Sequence, residues 1–216
     1  MSKARYIVLE GTEGVGKTTQ TVTLVNYLKK QGYSVLQTKE PGTPLSPLTM
    51  KLRNIMLNAE YDDQLTVPSR EFVSQAIRSI HLEQVIMPAL DSHDFIIQDR
   101  GILSGLAYGE ACGNNFELLA QLSEVISCPL TNNFYELYDD TIYLRGNVLK
   151  GLETAINSKQ EFEAGDAMEQ KGNEFILRVA DNMQFMSQSF SNVNEINVDN
   201  KDIDVVFNEI IKVLNV

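Results

Sequence analysis

Eight residues near the start of the chain, Gly11 to Thr18, have types and spacing suited to holding phosphate groups. They read GTEGVGKT and satisfy the pattern G-x-x-x-x-G-K-[ST]. Glycines let successive backbone N–H groups turn towards one anion, the lysine adds a mobile cation, and the threonine hydroxyl is a ligand for Mg²⁺. We therefore expect a nucleoside triphosphate and its Mg²⁺ to be bound by these residues: Gly11, Thr12, Glu13, Gly14, Val15, Gly16, Lys17, Thr18 and Thr19.

A second feature suited to phosphate chemistry is the pair Asp99-Arg100, which follows the β-rich run DFIIQ. An arginine guanidinium can bind an acceptor phosphate through two parallel hydrogen bonds. The alternative is a structural pair in which the two charges serve only each other. Asp99 could hold Mg²⁺ through water or orient Arg100, and the sequence does not separate these roles. We expect Lys17, Asp99 and Arg100 to be catalytic, with Thr18 and Asp99 as metal ligands.

These groups need a scaffold, and the hydrophobic pattern predicts strands alternating with helices. The β-rich runs are Tyr6–Leu9, Ser34–Thr38, Asp94–Gln98, Thr141–Leu144 and Asn194–Val198. Helical periodicity fills the spaces between them, over Thr18–Lys30, Leu45–Asn58, Pro68–Leu90, Ile102–Ala111, Phe116–Ile126, Val148–Asn157, Gly172–Ser189 and Ile203–Leu214. The expected fold is α/β, a P-loop NTPase-type parallel sheet of about five strands with helices on both faces. We expect one domain over residues 1–216.

Ligands of such sheets lie beyond the carboxyl ends of the strands. The glycine-rich loop follows the first run, Lys39-Glu40-Pro41-Gly42 follows the second, and Asp99-Arg100 follows the third. The order along the chain therefore predicts that all three meet in one crevice.

Composition limits the class of partner. The chain carries a formal net charge of −11, and we expect no nucleic-acid partner because binding a phosphate backbone needs clustered Lys and Arg. Cys112 and Cys128 lack metal-ligand spacing, and no apolar run reaches the roughly 18 residues of a membrane span. These features predict a cytoplasmic protein with free thiols and no membrane association. His81 and His93 are isolated, which gives a catalytic histidine little support.

The motifs occur in an order that resembles the thymidylate kinases. They comprise the glycine-rich loop, Glu40-Pro41-Gly42-Thr43, Leu52-Arg53, Arg78 with Pro88-Ala89-Leu90, and Asp99-Arg100 with Ser104 and Ala107-Tyr108. The resemblance covers nearly the whole chain and implies transfer of the γ-phosphoryl group of ATP to dTMP, with Mg²⁺, in a homodimer. The N-K-x-D motif by which GTPases recognise their base does not occur, which disfavours a GTPase.

The resemblance also implies roles for residues around the acceptor. Arg78 would reach the thymine edge, Tyr108 would crowd the sugar 2′ position, and Glu40 and Pro41 would shape the base pocket. From the residues alone, a solvent-exposed Arg78 and a core Tyr108 are alternatives. The expected substrate-binding residues are Glu40, Pro41, Arg53, Phe72, Ser74, Arg78, Arg100, Ser104 and Tyr108.

Two departures from the family pattern bear on the chemistry. The family usually has a phenylalanine that stacks on thymine four residues before the arginine matched by Arg78, and this chain has Ser74 there. Phe72 lies two positions earlier, about 200° around a helix. Either another aromatic ring stacks on the base, or the base differs from thymine. A kinase for another deoxynucleotide (dUMP, a modified pyrimidine or a purine) is therefore an alternative.

The second departure concerns the lid expected at about 157–170. The family's lid pair of aspartate and arginine is Asp166-Ala167 here, and Lys159 is the one cation between 157 and 170. Phosphoryl transfer needs positive charge around the equatorial oxygens. We therefore expect Lys159 to be catalytic, with Lys150 or Lys171 as substitutes. A nucleotide-binding regulator with weakened catalysis is the remaining alternative.

Overall fold

The computed structural model describes residues 3–158 and 166–216, without the side chains of 154–158 and 169. In this part of the chain one parallel sheet has the order β2-β3-β1-β4-β5. The strands are β1 (Arg5–Glu10), β2 (Val35–Lys39), β3 (Phe95–Asp99), β4 (Asp140–Arg145) and β5 (Val193–Asn197). The predicted parallel α/β sheet is confirmed, and each β-rich run of the sequence overlaps one of these strands.

The helices of the described residues also lie close to their predicted positions. They are α1 (Lys17–Lys30), α2 (Pro47–Leu57), α3 (Val67–His81), α4 (Met87–Leu90), α5 (Ile102–Ala111), α6 (Phe116–Ser127), α7 (Val148–Ser158), α8 (Asn173–Ser187) and α9 (Ile203–Leu214). Short 3₁₀ turns occupy Ala59–Tyr61, Phe134–Glu136 and Glu169–Lys171. None of these helices is long and apolar enough to cross a membrane.

One predicted helix, Pro68–Leu90, is divided. A π-helical segment, Leu82–Ile86, separates α3 from α4. Pro88 has no N–H to donate to the Gln84 carbonyl, and its ring would clash with that carbonyl in an α-helix. A π-helical turn widens the backbone at this point, so the chain continues in the same direction.

Alternate residues of β1 enter two different hydrophobic clusters. Ile7 and Leu9 pack with α1 and α9, while Tyr6 and Val8 pack with α3, α5 and α8. Successive side chains of a strand point to opposite faces, so helices cover both sides of the sheet, as predicted.

The register aligns the carboxyl ends of the three strands that precede the predicted site. Leu9 of β1 and Lys39 of β2 both lie beside Asp99 of β3. The segments that follow these strands therefore start at one edge of the sheet, where ligands of such folds bind.

Candidate active site

A cavity of about 680 Å³ opens at this edge. It contains most of the residues that the sequence predicts for donor and acceptor binding. These are Glu13, Gly14, Gly16, Lys17, Thr18, Thr19, Glu40, Pro41, Arg53, Ser74, Arg78, Asp99, Arg100, Ser104 and Tyr108. The structure thus places both predicted sets in one continuous space, as the strand order required.

The glycine-rich loop joins β1 to α1 and presents the first turn of that helix to the cavity. Gly16 is the N-cap residue with φ 93° and has no side chain to cap the helix, so the first N–H groups of α1 remain available to an anion. Gly14, with φ 69°, lies so close to Gly151 of α7 that a Cβ there would overlap the Gly151 backbone. The loop therefore packs directly against the backbone of α7.

Lys17 lies at the start of α1, and its Nζ donates a hydrogen bond to the Thr12 carbonyl. Burial and the neighbouring Arg100 guanidinium together lower the pKa of Lys17 to about 8, against the opposing effect of Glu13 and other nearby acids. A phosphate group would supply the negative charge that restores the pKa. Gly11, Thr12 and Val15 do not line the cavity. Val15 instead packs into the core with β1 and α1.

The Thr18 hydroxyl donates to Asp99 Oδ2 at 2.5 Å. A hydroxyl and a carboxylate placed side by side next to a phosphate-binding loop are the hard oxygen ligands that Mg²⁺ prefers, and phosphates and water usually supply the remaining ligands. The donor set therefore fits the metal ion expected here. No cluster of three or more His, Cys, Asp or Glu suited to a metal occurs in the described part of the chain.

Arg100 connects the loop after β3 to the glycine-rich loop. Its backbone has φ 66°, and its guanidinium donates to Gly11 O at 2.9 Å, Ser104 Oγ at 3.1 Å and Glu13 Oε1 at 2.6 Å. Burial alone would lower the pKa of Arg100, but Glu13 and the other acids nearby raise it overall. Arg100 is therefore a permanent cation, and the Glu13 carboxylate is its anionic partner in this structure.

Glu10, which the sequence reading missed, fixes the segment that carries Arg100. Its buried carboxylate accepts hydrogen bonds from the N–H groups of Gly101 at 2.8 Å and Ser104 at 3.1 Å, and from the Ser104 hydroxyl. These N–H groups begin α5, whose N-cap Gly101 has no side chain, so Glu10 satisfies them from β1. Burial raises the pKa of Glu10, while the Ser104 hydrogen bonds oppose the shift.

A buried polar network holds Arg78 on the wall of the cavity. Arg78 Nε donates to Glu40 Oε2 at 3.0 Å, and Nη1 donates to Gln75 Oε1 at 3.3 Å. His81 Nδ1 donates to Glu40 Oε1 at 3.1 Å, and Thr38 Oγ1 lies 2.8 Å from His81 Nε2. Burial would raise the pKa of Glu40, but Arg78 and His81 outweigh it and the pKa is lowered. Arg78 is therefore buried rather than solvent-exposed, and His81 supports the site.

One predicted substrate-binding residue lies away from the cavity. Phe72 is 59% exposed and does not line the cavity, because a shift of two positions on α3 turns it away from the face that carries Ser74. Its expected place among the substrate-binding residues is thus wrong. Lys159 and most of the expected lid lie outside the described residues. Ala167, at the position of the family's lid arginine, is buried and donates its N–H to Leu57 O at 2.8 Å.

Several lining residues were missed from the sequence. They include Arg70, Glu71, Cys112, Asn114 and Met168. Arg70 donates to Asp62 at 2.6 Å and to the Met56 carbonyl. The spacing along the sequence could have identified Glu71. Glu71, Ser74 and Arg78 are three and four residues apart and therefore share one face of the helix.

A five-stranded parallel sheet, a glycine-rich loop between β1 and α1, and a lysine and threonine at the start of that helix define a nucleotide-binding protein of the P-loop NTPase class. The thymidylate kinase family profile matches residues 9–210, and the chain belongs to that family. It is accordingly a kinase.

Two relatives and one solved structure show how closely the chain follows the family. A thymidylate kinase of Finegoldia magna is 29% identical over 211 residues, 97% of each chain. One from a Synechococcus strain is 34% identical over 183 residues, 82% of this chain and 81% of the relative. The crystal structure of the Ehrlichia chaffeensis thymidylate kinase superposes with a TM-score of 0.73 at 25% identity, covering 98% of this chain and 99% of the other.

Proposed function

We propose that this chain transfers the γ-phosphoryl group of ATP to the phosphate of dTMP, giving dTDP and ADP. The observation that carries the proposal is that one cavity contains both the glycine-rich loop, with Lys17 and Thr18, and the guanidinium of Arg100. Kinases of this kind need positive groups on a donor and an acceptor phosphate at once. The membership of the thymidylate kinase family supports dTMP as the acceptor.

Catalysis in this site consists of positioning and charge stabilisation. The loop N–H groups and Lys17 hold the donor phosphates, while Arg100 exchanges the Glu13 carboxylate for the acceptor phosphate. Ser104 and Gly11 O, which already accept from Arg100, keep the guanidinium aimed at the space between the two phosphates. The Glu10 carboxylate holds the start of α5, so Arg100 needs little reorganisation when the acceptor binds.

Mg²⁺ is expected to be held by Thr18 and Asp99 together with the donor phosphates. When bound, it would neutralise the charge that develops on the transferring group. Lys159 remains the predicted lid cation. Homodimer formation and a cytoplasmic location also stay predictions.

A different deoxynucleotide is a second candidate acceptor, and Ser74 favours it. Ser74 lines the cavity, whereas Phe72 is exposed away from it. Neither residue can supply an aromatic ring that stacks on a base in this cavity, so affinity for the acceptor depends more on hydrogen bonds to its edge.

A coupled assay of ATP consumption with dTMP, dUMP, dCMP, dGMP and dAMP tests the proposal. We expect turnover that depends on dTMP and is reduced by several orders of magnitude in Lys17→Ala, with circular dichroism unchanged. ATP consumption that ignores the acceptor, or turnover highest with another nucleotide, would contradict transfer to dTMP.

A further inference from the structure

Two glycines of α5 leave room for two charged side chains of α3. A Cβ on Gly105 would clash with Nη2 of Arg78, and a Cβ on Gly109 would lie 2.9 Å from Oε2 of Glu71. Gly105, Gly109, Arg78 and Glu71 all line the cavity. The absence of side chains at Gly105 and Gly109 thus leaves room on α5 for the Arg78 guanidinium and the Glu71 carboxylate at the cavity wall.

The two groups offer complementary hydrogen bonds to a ligand. Among the described residues, Arg78 makes hydrogen bonds to Glu40, Gln75 and the Gly101 carbonyl, while a guanidinium has five N–H groups. Glu71 Oε1 accepts from Gln75 Nε2 at 2.7 Å, and Oε2 accepts from no described residue. Arg78 can therefore still donate, and Glu71 can still accept, towards the cavity.

The spacing of the groups suits one edge of a planar base. Gly105 and Gly109 are one helical turn apart, about 6 Å along α5. Two hydrogen bonds of about 2.9 Å from neighbouring atoms of one ring can bridge such a distance. Ser74 lies between Glu71 and Arg78 on the same face of α3 and lines the cavity, while Gln75 is hydrogen-bonded to both charged side chains and holds them side by side.

We propose that Glu71 recognises the edge of the acceptor base beside Arg78: where Arg78 donates to a ring carbonyl oxygen, as the family resemblance implies, Glu71 Oε2 accepts from the adjacent ring N–H. The inference rests on the proposed transfer to a deoxynucleotide and makes Glu71 a specificity-determining residue. Thymine and uracil present a carbonyl beside an N–H. Cytosine presents an amino group beside a ring nitrogen without a proton. The amino group would then face the Arg78 guanidinium, donor against donor, and the ring nitrogen would face the Glu71 carboxylate, acceptor against acceptor.

Burial makes an unsatisfied Glu71 carboxyl oxygen costly. Burial raises the pKa of Glu71, while Gln75 and Arg78 oppose the shift. Glu71 is 6% exposed, and leaving a buried acceptor beside a ligand without a donor is costly. The site therefore penalises a base that lacks the N–H.

Equilibrium binding by calorimetry without ATP tests the assignment independently of phosphoryl transfer. The parent should bind dTMP at least about 100-fold more tightly than dCMP, since two contacts are mismatched at roughly 10-fold or more each. It should also bind dTMP far more tightly than 3-methyl-dTMP, which lacks the ring N–H. Equal affinity for dTMP and 3-methyl-dTMP would overturn the proposal, and this comparison needs no variant.

Glu71→Gln keeps the size of the side chain and an oxygen for Gln75. It should weaken dTMP binding about 10- to 100-fold and reduce the preference for dTMP over dCMP. Glu83→Gln, on the exposed side of the π-helical segment, is the matched control and should change neither value. An unchanged preference in Glu71→Gln would overturn the proposal. If the preference responds to Glu71 but dTMP does not stimulate ATP consumption, base recognition stands and the proposed transfer fails.

Discussion

Replacing Glu40 by glutamine removes the negative charge that Arg78 faces inside the protein while leaving the shape of the side chain. The Arg78 and Glu40 side chains are 4% and 5% exposed, with Nε and Oε2 3.0 Å apart. Removing one partner of a buried ion pair costs about 3–5 kcal/mol because the other charge remains desolvated. Gln75 and the Gly101 carbonyl still accept from Arg78, so we expect a loss near the lower limit, about 3 kcal/mol.

Urea denaturation at neutral pH measures this loss directly. The matched control is Glu195→Gln, which breaks the exposed pair of Arg145 and Glu195, with side chains 49% and 34% exposed and atoms 2.6 Å apart. That pair should contribute less than about 1 kcal/mol. Equal losses for the two variants would refute the reasoning, because burial would then not govern the energy of the pair.

The same pair predicts a pH dependence. The pKa of Glu40 is lowered in the folded state, so its contribution is complete above the ordinary glutamate pKa of about 4.3 and is lost as pH falls through the lowered value. The parent should therefore lose stability relative to Glu40→Gln below about pH 4. If the difference in unfolding free energy between the parent and Glu40→Gln stayed constant down to pH 3, Glu40 would not be charged in the folded protein.

Three further changes test other parts of the site. Burial and the Arg100 guanidinium lower the pKa of Lys17 to about 8, so kcat/KM for ATP should fall as pH rises above that value. Lys17→Arg should remove this fall, and a parent kcat/KM that does not change with pH would contradict the expectation. In the parent, the contribution of Lys17 to stability should also rise as pH increases from about 8 to 10.5, because the folded state binds fewer protons than the unfolded state over this range. Ser74→Phe should tighten dTMP binding by roughly 0.5–1.5 kcal/mol, because the new ring can stack on the base. Calorimetry measures the affinity, and weaker binding would show that the cavity beside position 74 has no room for an aromatic ring. Gly151→Ala places a Cβ against the Glu13 carbonyl of the glycine-rich loop. It should therefore raise KM for ATP and lower the free energy of unfolding by about 1–3 kcal/mol. Values equal to those of the parent would show that the glycine-rich loop tolerates displacement.

The sequence predicted the elements well because their signals are local. Alternating apolar runs and the glycine-rich loop specify strands, helices and their order, and strand order then places the predicted groups at one edge. The π-helical segment Leu82–Ile86 was not predicted, because Pro88 breaks an α-helix locally and only packing decides how the chain continues.

The polar network behind the site could not be predicted, since its members are far apart in sequence. Glu10 accepts hydrogen bonds from the first N–H groups of α5, which lie about 90 residues later, and it belongs to no motif or β-rich run identified in the sequence. His81 was isolated in the sequence, yet it contacts Glu40 across 41 residues. A glutamate on a helix is usually exposed, so the sequence did not indicate that Glu71 is buried beside Gly109 of α5 and hydrogen-bonded to Gln75.

If one cavity holds a donor and an acceptor, the phosphoryl group passes directly from ATP to dTMP. A radioactive label on the γ-phosphate of ATP tests this transfer most directly. Purified protein, Mg²⁺, dTMP and γ-³²P-labelled ATP should yield labelled dTDP in a one-to-one ratio with ADP, and Arg100→Lys should raise KM for dTMP far more than KM for ATP. Label that appears only as inorganic phosphate, or equal changes of both KM values in Arg100→Lys, would contradict the account.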